Sequence, residues 1–345
     1  MAQPFDPASL QTKGDPFPIA DQVGTEGSRY ATFAISPSGV LVYGRGNIGR
    51  GLQLMWFDRS GKSLSTVGDV ANGLQSVALS PDELRAAVTL TTGTPPNRDV
   101  WIIDLARTVS SRLTFDATDD TFPVWSPDGG KIAFFSLRQG DPGIRVAPAT
   151  GGATDELVLK INRPVNVAVP TDWSRDRHFI AYTQGSANTD VWILPLAGDR
   201  KPFPLASSSF AEDGATFSPD GRWIAYSSNE SGQYQVYVQP FPPSGGKIQI
   251  SRNGGGQPMW RGDGRELFFI APDSAMMAAT IDASRQFQAG VPQALFASHA
   301  AGAVQGRRQY AVTKDGKRFL VLALQPAAGS APLTVVVNWL AAVQR

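Results

Sequence analysis

Cysteine is absent from the 345 residues, which excludes disulfides, thiolate metal sites and cysteine nucleophiles. Histidine is nearly absent: His178 and His299 are the two present. They leave little material for a Ser-His-Asp triad or a histidine-rich metal centre. Neither charge dominates, with 31 basic against 30 acidic residues and no long run of one sign. No electrostatic footprint for nucleic acid or a membrane surface is therefore expected. Long apolar runs are also missing. The longest near the C-terminus, Leu333 to Ala342, is broken by Thr334 and Asn338 and is too short to span a bilayer. The opening MAQPFDPASL has no basic stretch followed by an apolar one, so it does not read as a signal peptide. No segment sustains the 3.6-residue apolar period of a helix.

Glycine (35) and proline (26) are plentiful instead, and they recur at intervals. Phe217-Ser-Pro-Asp-Gly-Arg-Trp-Ile-Ala-Tyr226 returns as Trp125-Ser-Pro-Asp-Gly-Gly-Lys-Ile-Ala-Phe134. Drifted copies stand at Ile35-Ser-Pro-Ser-Gly, Leu79-Ser-Pro-Asp-Glu, Trp173-Ser-Arg-Asp-Arg, Trp260-Arg-Gly-Asp-Gly and Val312-Thr-Lys-Asp-Gly. The serine-equivalent position falls at 36, 80, 126, 174, 218, 261 and 313. The steps run from 43 to 52 residues, close to the period of a four-stranded propeller blade. Within each copy an apolar strand ends, proline and glycine turn the chain, and a second strand begins at once. Third strands follow at Leu52–Trp56, Asp99–Asp104, Asp190–Leu194 and Gln235–Gln239, rich in β-branched and aromatic residues. More polar edge strands such as Lys247–Ile250 complete the unit.

The expectation is all-β: a seven-bladed β-propeller of four-stranded antiparallel blades, forming one domain over residues 1–345. Residues 1–19 align without gaps with 277–295, the outer half of the sixth blade. So residues 1–22 are expected to supply outer strands, with Pro16–Gln22 completing the last blade, begun at Tyr310. Leu333–Trp339, apolar on both faces, is expected as an interior strand of that blade. Pairing of N- and C-terminal strands then closes the ring and leaves no free edge. A start in mid-blade suggests that Met1 is internal to a longer natural polypeptide.

The SPDG hairpins followed by Ile-Ala-Phe/Tyr and a D-[IV]-W strand resemble TolB-type, WD-like propeller repeats. Several strings also resemble the C-terminal propeller of bacterial membrane serine/threonine protein kinases: Met1–Asp6, Trp192–Pro202, Phe217–Tyr226, Val236–Phe241 and Thr334–Trp339. That resemblance implies an extracytoplasmic sensing or protein-binding module. It brings no catalytic residue, and the kinase Gly-rich loop, HRD and DFG are absent. The G-x-S-x-G elbow of propeller-linked hydrolases is absent as well.

Recurrence decides several candidate sites. Asp128, Asp220, Asp263 and Asp315 repeat with the turns, so they read as turn formers, not catalysts. Trp125, Trp173 and Trp260 end first strands, while Trp101 and Trp192 sit in third strands; all read as packing. Gly254–Gly256 precedes a strand rather than a helix and makes a poor phosphate loop. Arg307 and Arg308 read as a solvated basic pair, and His178 as a turn residue. His299 falls in a loop directed at the ligand-facing rim. The carboxylates of Phe115–Thr121 suit a hard cation but lack the spacing of a calcium loop. No cofactor is expected, with a structural Ca²⁺ as the alternative.

A ligand is expected at the mouth ringed by loops between blades and between second and third strands. The expected contacts there are Asp119, Asp120, Arg138, Glu212, Asp213 and Asn229. The function expected is non-catalytic binding of a protein, peptide or cell-envelope ligand, without nucleic acid or membrane insertion. A metal-dependent lactonase- or lyase-like enzyme and a structural scaffold are the alternatives.

Overall fold

The computed structural model describes residues 3–16, 19–20, 25–26, 30–31, 33–36, 38–44, 51–71, 73–152, 154–161, 167–185, 188–300, 307–325, 333–337 and 339. The chain forms two compact units, Leu52–Leu324 and a smaller one built from Met1–Gly51 with Gln325–Arg345.

The larger unit consists of antiparallel sheets, called A to F here. Sheet A contains Leu74–Leu79, Arg85–Thr92, Asn97–Asp104 and Val109–Arg112. Sheet B contains Asp120–Trp125, Lys131–Ser136, Gly143–Pro148 and Glu156–Lys160. Sheet C contains Ala168–Trp173, Phe179–Gly185, Thr189–Pro195 and Phe203–Ala206. Sheet D contains Glu212–Phe217, Trp223–Ser228, Gln235–Pro240 and Ile248–Gln249. Sheet E has Gly256–Trp260, Glu266–Ile270 and Ala275–Asp282, and both Gln288–Ala289 and Gln293–Ala297 pair with the last of these. Sheet F joins the two ends of the unit: the order is Tyr310–Val312, Arg318–Leu324, Leu52–Asp58, Ser63–Ala71.

The repeated sequence makes a repeated turn. Ser126 Oγ donates to Asp128 at 2.6 Å and accepts from the Lys131 amide at 2.9 Å. Ser218 does the same with Asp220 and Trp223. Gly129 and Gly221 sit at φ +70°. In the drifted copies Glu83 and Arg177 take this conformation at φ 61° and 66°, a cost of roughly 1–2 kcal/mol each that the shared turn hydrogen bonds offset. Asp82, Asp128, Asp176, Asp220 and Asp315 all have carboxyls held below the usual range by these bonds. They are turn formers, as their recurrence predicts.

Each large apolar cluster lies between two successive sheets. Ile102, Trp125 and Phe134 join A to B, and Phe135, Trp173 and Tyr182 join B to C. Ile193, Phe217 and Tyr226 join C to D, while Val238, Leu267 and Phe269 join D to E. Phe268, Tyr310 and Phe319 join E to F, and Leu54, Leu320, Val77 and Val88 join F back to A. The packing order is therefore cyclic. Trp125 and Trp260 add a stitch, their indole N–H groups donating to Ala78 and Thr216 carbonyls on the preceding sheet.

The sheet begun at Tyr310 differs from expectation. Arg318–Leu324 pairs in full seven-residue register with Leu52–Asp58, and Ser63–Ala71 takes the edge. Leu333–Val337 lies in another sheet, and the expected Pro16–Gln22 strand falls on residues 17, 18, 21 and 22, which lie outside the described residues. The physical reason is the partner: Leu54, Trp56 and Phe57 present a buried strand that meets Arg318–Leu324 on both sides. Leu333–Val337, with Leu333, Val335 and Val337 turned to solvent, has less to bury.

Six of the seven hairpins build the larger unit, and the copy at Ser36 belongs to the smaller one. There Phe33–Ile35, Val40–Gly44 and Leu333–Val337 form a three-stranded sheet with Val40–Gly44 central. Phe5–Asp6 pairs with Gln11–Thr12, and Asp6 caps the Ala8 amide at 2.9 Å. At the aligned position Asp282 caps Ser284 at 2.9 Å, so the terminal alignment corresponds to a shared local hairpin.

Candidate functional site

The first strands of sheets A to F surround a cavity of about 460 Å³ within the larger unit. Its wall is built by a recurring irregularity. The register of the first strand shifts between Thr121 and Val124, Pro170 and Asp172, Asp213 and Thr216, and Gly256 and Met259. These bulges sit four residues before the turn motif, where Phe122 (φ 58°), Gly214 (φ 68°) and Gln257 (φ 58°) are left-handed. A bulge bends the strand and turns an extra residue off the ladder, which here brings it to the cavity.

Glu83, Asp172, Arg175, Asp213, Arg307, Arg308 and Lys314 bring both signs of charge to this wall. Arg308 precedes the first strand of sheet F, and its Nη2 donates to the Thr171 carbonyl of sheet C at 2.7 Å. Sheets C and F are three places apart in a cyclic order of six, so this side chain reaches across the cavity. Asp172, beside Thr171, accepts the Phe217 amide at 2.7 Å. Withdrawal from bulk water pushes its carboxyl up to about 6, against the pull of Arg308 and the Phe217 amide. Asp213, on the same wall, accepts Thr183 Oγ1 at 2.8 Å. Gln257 accepts the Gln309 amide through its side chain and Tyr310 Oη through its carbonyl, tying sheet E to F.

Of the expected contacts, Asp213 alone lines the cavity. Asp119 receives the Arg98 backbone amide and guanidinium. Glu212 accepts Ser208 Oγ at 2.6 Å, and burial raises its carboxyl. Asn229 caps the Ala211 amide at 2.9 Å. Arg138 gathers three carboxylates, at 3.1 Å from Asp116, 2.7 Å from Asp155 and 3.6 Å from Asp120. Asp116 also caps Thr118, so the acidic loop of residues 115–121 is engaged in turn and ion-pair contacts. Among the described residues no group of three or more His, Asp or Glu is placed to hold a metal ion. His178 is exposed beside Asp176, and His299 stacks on Phe57. Sequence reasoning missed Asp172 and Arg308. The one signal was an aspartate inside an otherwise apolar strand end, Val169-Pro-Thr-Asp-Trp173.

Asp120 is fully buried, and burial lifts its carboxyl to about 6, above the ordinary 3.8. Ser136 and Arg138 oppose that rise, while Asp116 and Asp155 add to it. A raised acid binds its proton more tightly when folded. Stability is therefore greatest below the unfolded value and falls as pH rises towards 6. Replacing Asp120 by Asn removes that slope. The stability of the variant relative to the parent should rise by about 1.4 kcal/mol between pH 5 and pH 7.5 in urea titrations. A difference independent of pH would count against the buried-acid account.

Six sheets packed in cyclic order about one cavity define a β-propeller. Residues 53–214 match the TolB beta propeller domain. The chain is 30% identical over 106 residues to the Protein TolB homolog of Chlorobium chlorochromatii, across 31% of this chain and 23% of that protein. It is 29% identical over 115 residues to the Tol-Pal system protein TolB of Bordetella pertussis, across 33% of this chain and 26% of that protein. These matches span about a quarter of each relative's length. Among solved structures, the putative TolB from Agrobacterium tumefaciens has a TM-score of 0.63 at 20% identity, covering 80% of this chain and 99% of that one. An oligogalacturonate lyase in complex with manganese has a TM-score of 0.52 at 14% identity, covering 86% and 96%. At such identities the two structures share the fold. Residues 53–214 carry the TolB beta propeller match, and the chain resembles TolB-like propellers in fold.

Among the described residues no helix is long and apolar enough to cross a membrane.

Proposed function

We propose that this chain is a binding propeller that takes a protein or peptide segment at the cavity of its larger unit. The observation that carries the reading is the wall itself: all six sheets contribute first strands, and Arg308 and Asp172 face that space. The relatives named for the Tol-Pal system support protein binding over catalysis, as does the scarcity of histidine. Asp119, Asp120, Arg138, Glu212 and Asn229 belong to the strand starts and loops at one end of sheets B and D. They are proposed as an outer contact ring around Asp213. We place the module outside the cytoplasm, as the sensing part of a membrane serine/threonine kinase, because of the strings from Met1–Asp6 to Thr334–Trp339 that resemble such propellers. The neighbour bound to manganese is an enzyme, but shared fold alone does not carry its chemistry here.

The test is a cavity-filling variant, Gly214→Phe. Sheet B already holds a phenylalanine in this conformation at the equivalent Phe122, and the nearest atom to a Cβ at Gly214 is 3.9 Å away. A partner recovered by crosslinking from envelope extract, then purified, should bind the parent at least about tenfold tighter than the variant. Equal binding to both would remove the cavity from the proposal.

A further inference from the structure

The cavity wall has hydrogen-bond donors without a partner among the described residues. The guanidinium of Arg308 presents five N–H donors in a planar fork. Its hydrogen bond among the described residues is to a neutral carbonyl, that of Thr171. The nearby acid, Asp172, feels the charge of Arg308 but takes hydrogen bonds from the Phe217 and Trp173 amides. An independent sign comes from sheet D. Ser227 lines the same cavity, is 3% exposed, and its Oγ has no hydrogen-bond partner among the described residues. Tyr234 stands on this wall too, its hydroxyl pushed up to about 12 by burial and the Asp213 and Glu212 charges, so it keeps its proton. A forked cation, a hydroxyl without a partner among the described residues and a protonated phenol line one cavity. Their common complement is a planar anion with two acceptor oxygens.

Resting on the cavity reading above, we propose that the ligand inserts a peptidyl carboxylate, which Arg308 receives as a forked pair while Ser227 Oγ donates to one oxygen. Asp172 and Asp213 then face the N–H groups or cation flanking that carboxylate. They reject a bare dianion, so the site favours a peptide over a free dicarboxylic acid. The cavity volume lies in the range of about 300–1,000 Å³ usual for small-ligand pockets, enough for the end or side group of a peptide but not for a folded domain. Two sources provide this group: the C-terminus of a polypeptide, or an internal Asp or Glu.

Calorimetric titration of the full chain with three probes separates them: acetyl-Gly-Ala-Gly with a free carboxylate, its C-terminal amide, and acetyl-Gly-Glu-Gly amide. Binding of the first assigns a terminus, and binding of the third a side chain. The neutral amide should bind at least about tenfold more weakly than whichever is preferred, as one charge-assisted contact implies. Arg308→Gln should lose that preference, and Arg308→Lys should keep part of it. Equal binding of the amide, unchanged binding to Arg308→Gln, or no binding of any probe to the parent would overturn the proposal. Failure here is distinct from failure of the cavity reading. A purified partner lost by Gly214→Phe but held by Arg308→Gln leaves the cavity standing and removes the carboxylate, whereas one held by both removes the cavity as well.

Discussion

Replacing Phe319 by alanine is expected to lower the unfolding free energy by about 3–5 kcal/mol. Phe319 is fully buried on the second strand of sheet F, where sheet E packs against it. Its ring meets Phe268 edge-on at 5.2 Å and Phe296 at 5.3 Å. Truncation removes both aromatic contacts and opens a void among Phe57, Tyr310 and Phe268, which the paired strands on either side cannot collapse to fill. The effect falls on the contact between E and F, while the turn hydrogen bonds at Thr313–Asp315 are untouched. Denaturant titration of the full chain measures it, with Leu84→Ala as the reference, since Leu84 is 63% exposed and its loss should cost within about 0.5 kcal/mol. A Phe319→Ala cost no larger than that reference would mean that this aromatic cluster does not hold E to F.

The second large effect is expected at Arg138. Its guanidinium holds Asp116 and Asp155, and it is the cation facing Asp120, whose two oxygens lack a hydrogen-bond partner among the described residues. Arg145 also reaches Asp155 at 2.8 Å, so Asp155 keeps a partner when Arg138 is removed. Asp120 does not. Breaking a buried pair from one side costs about 3–5 kcal/mol because a charge is left behind. Arg138 is a quarter exposed, which places Arg138→Ala near the lower end, at about 3 kcal/mol. The signature is coupling: adding Asp120→Asn to Arg138→Ala should recover more than about 1 kcal/mol, since the stranded acid is then gone. Strict additivity of the two changes would show that the network does not act as a unit. Because both residues belong to the proposed outer contact ring, partner binding should be compared only between variants that remain folded.

The turn motif was legible because its chemistry is local. Ser, Pro, Asp and Gly at fixed offsets satisfy one another within six residues, so the pattern that names the turn also builds it. Even the drifted copies were readable, although Glu83 and Arg177 hold a backbone conformation that glycine takes elsewhere. The third strands were equally plain, since Asp99–Asp104 and Asp190–Leu194 carry their β-branched and aromatic residues in consecutive runs.

Strand pairing across the ends of the chain is a different matter. Leu52–Asp58 and Leu333–Val337 are both apolar enough to accompany Arg318–Leu324, and periodicity does not rank them. What separates them is how much each buries on both faces, which depends on neighbours in sheets A and E that are remote in sequence. The proposed ligand site was hidden for the same reason. Asp172 looks like one polar residue in a strand, and Arg308 like one of a solvated pair. They become a site because sheets C and F face each other across the cavity. The amino-acid sequence by itself determined the all-β class, the turn chemistry and the repeat, because hydrogen bonds within six residues enforce them. Tertiary structure alone decided which strands close sheet F and which charges meet in the cavity, because burial and charge proximity exist only once distant strands are packed together.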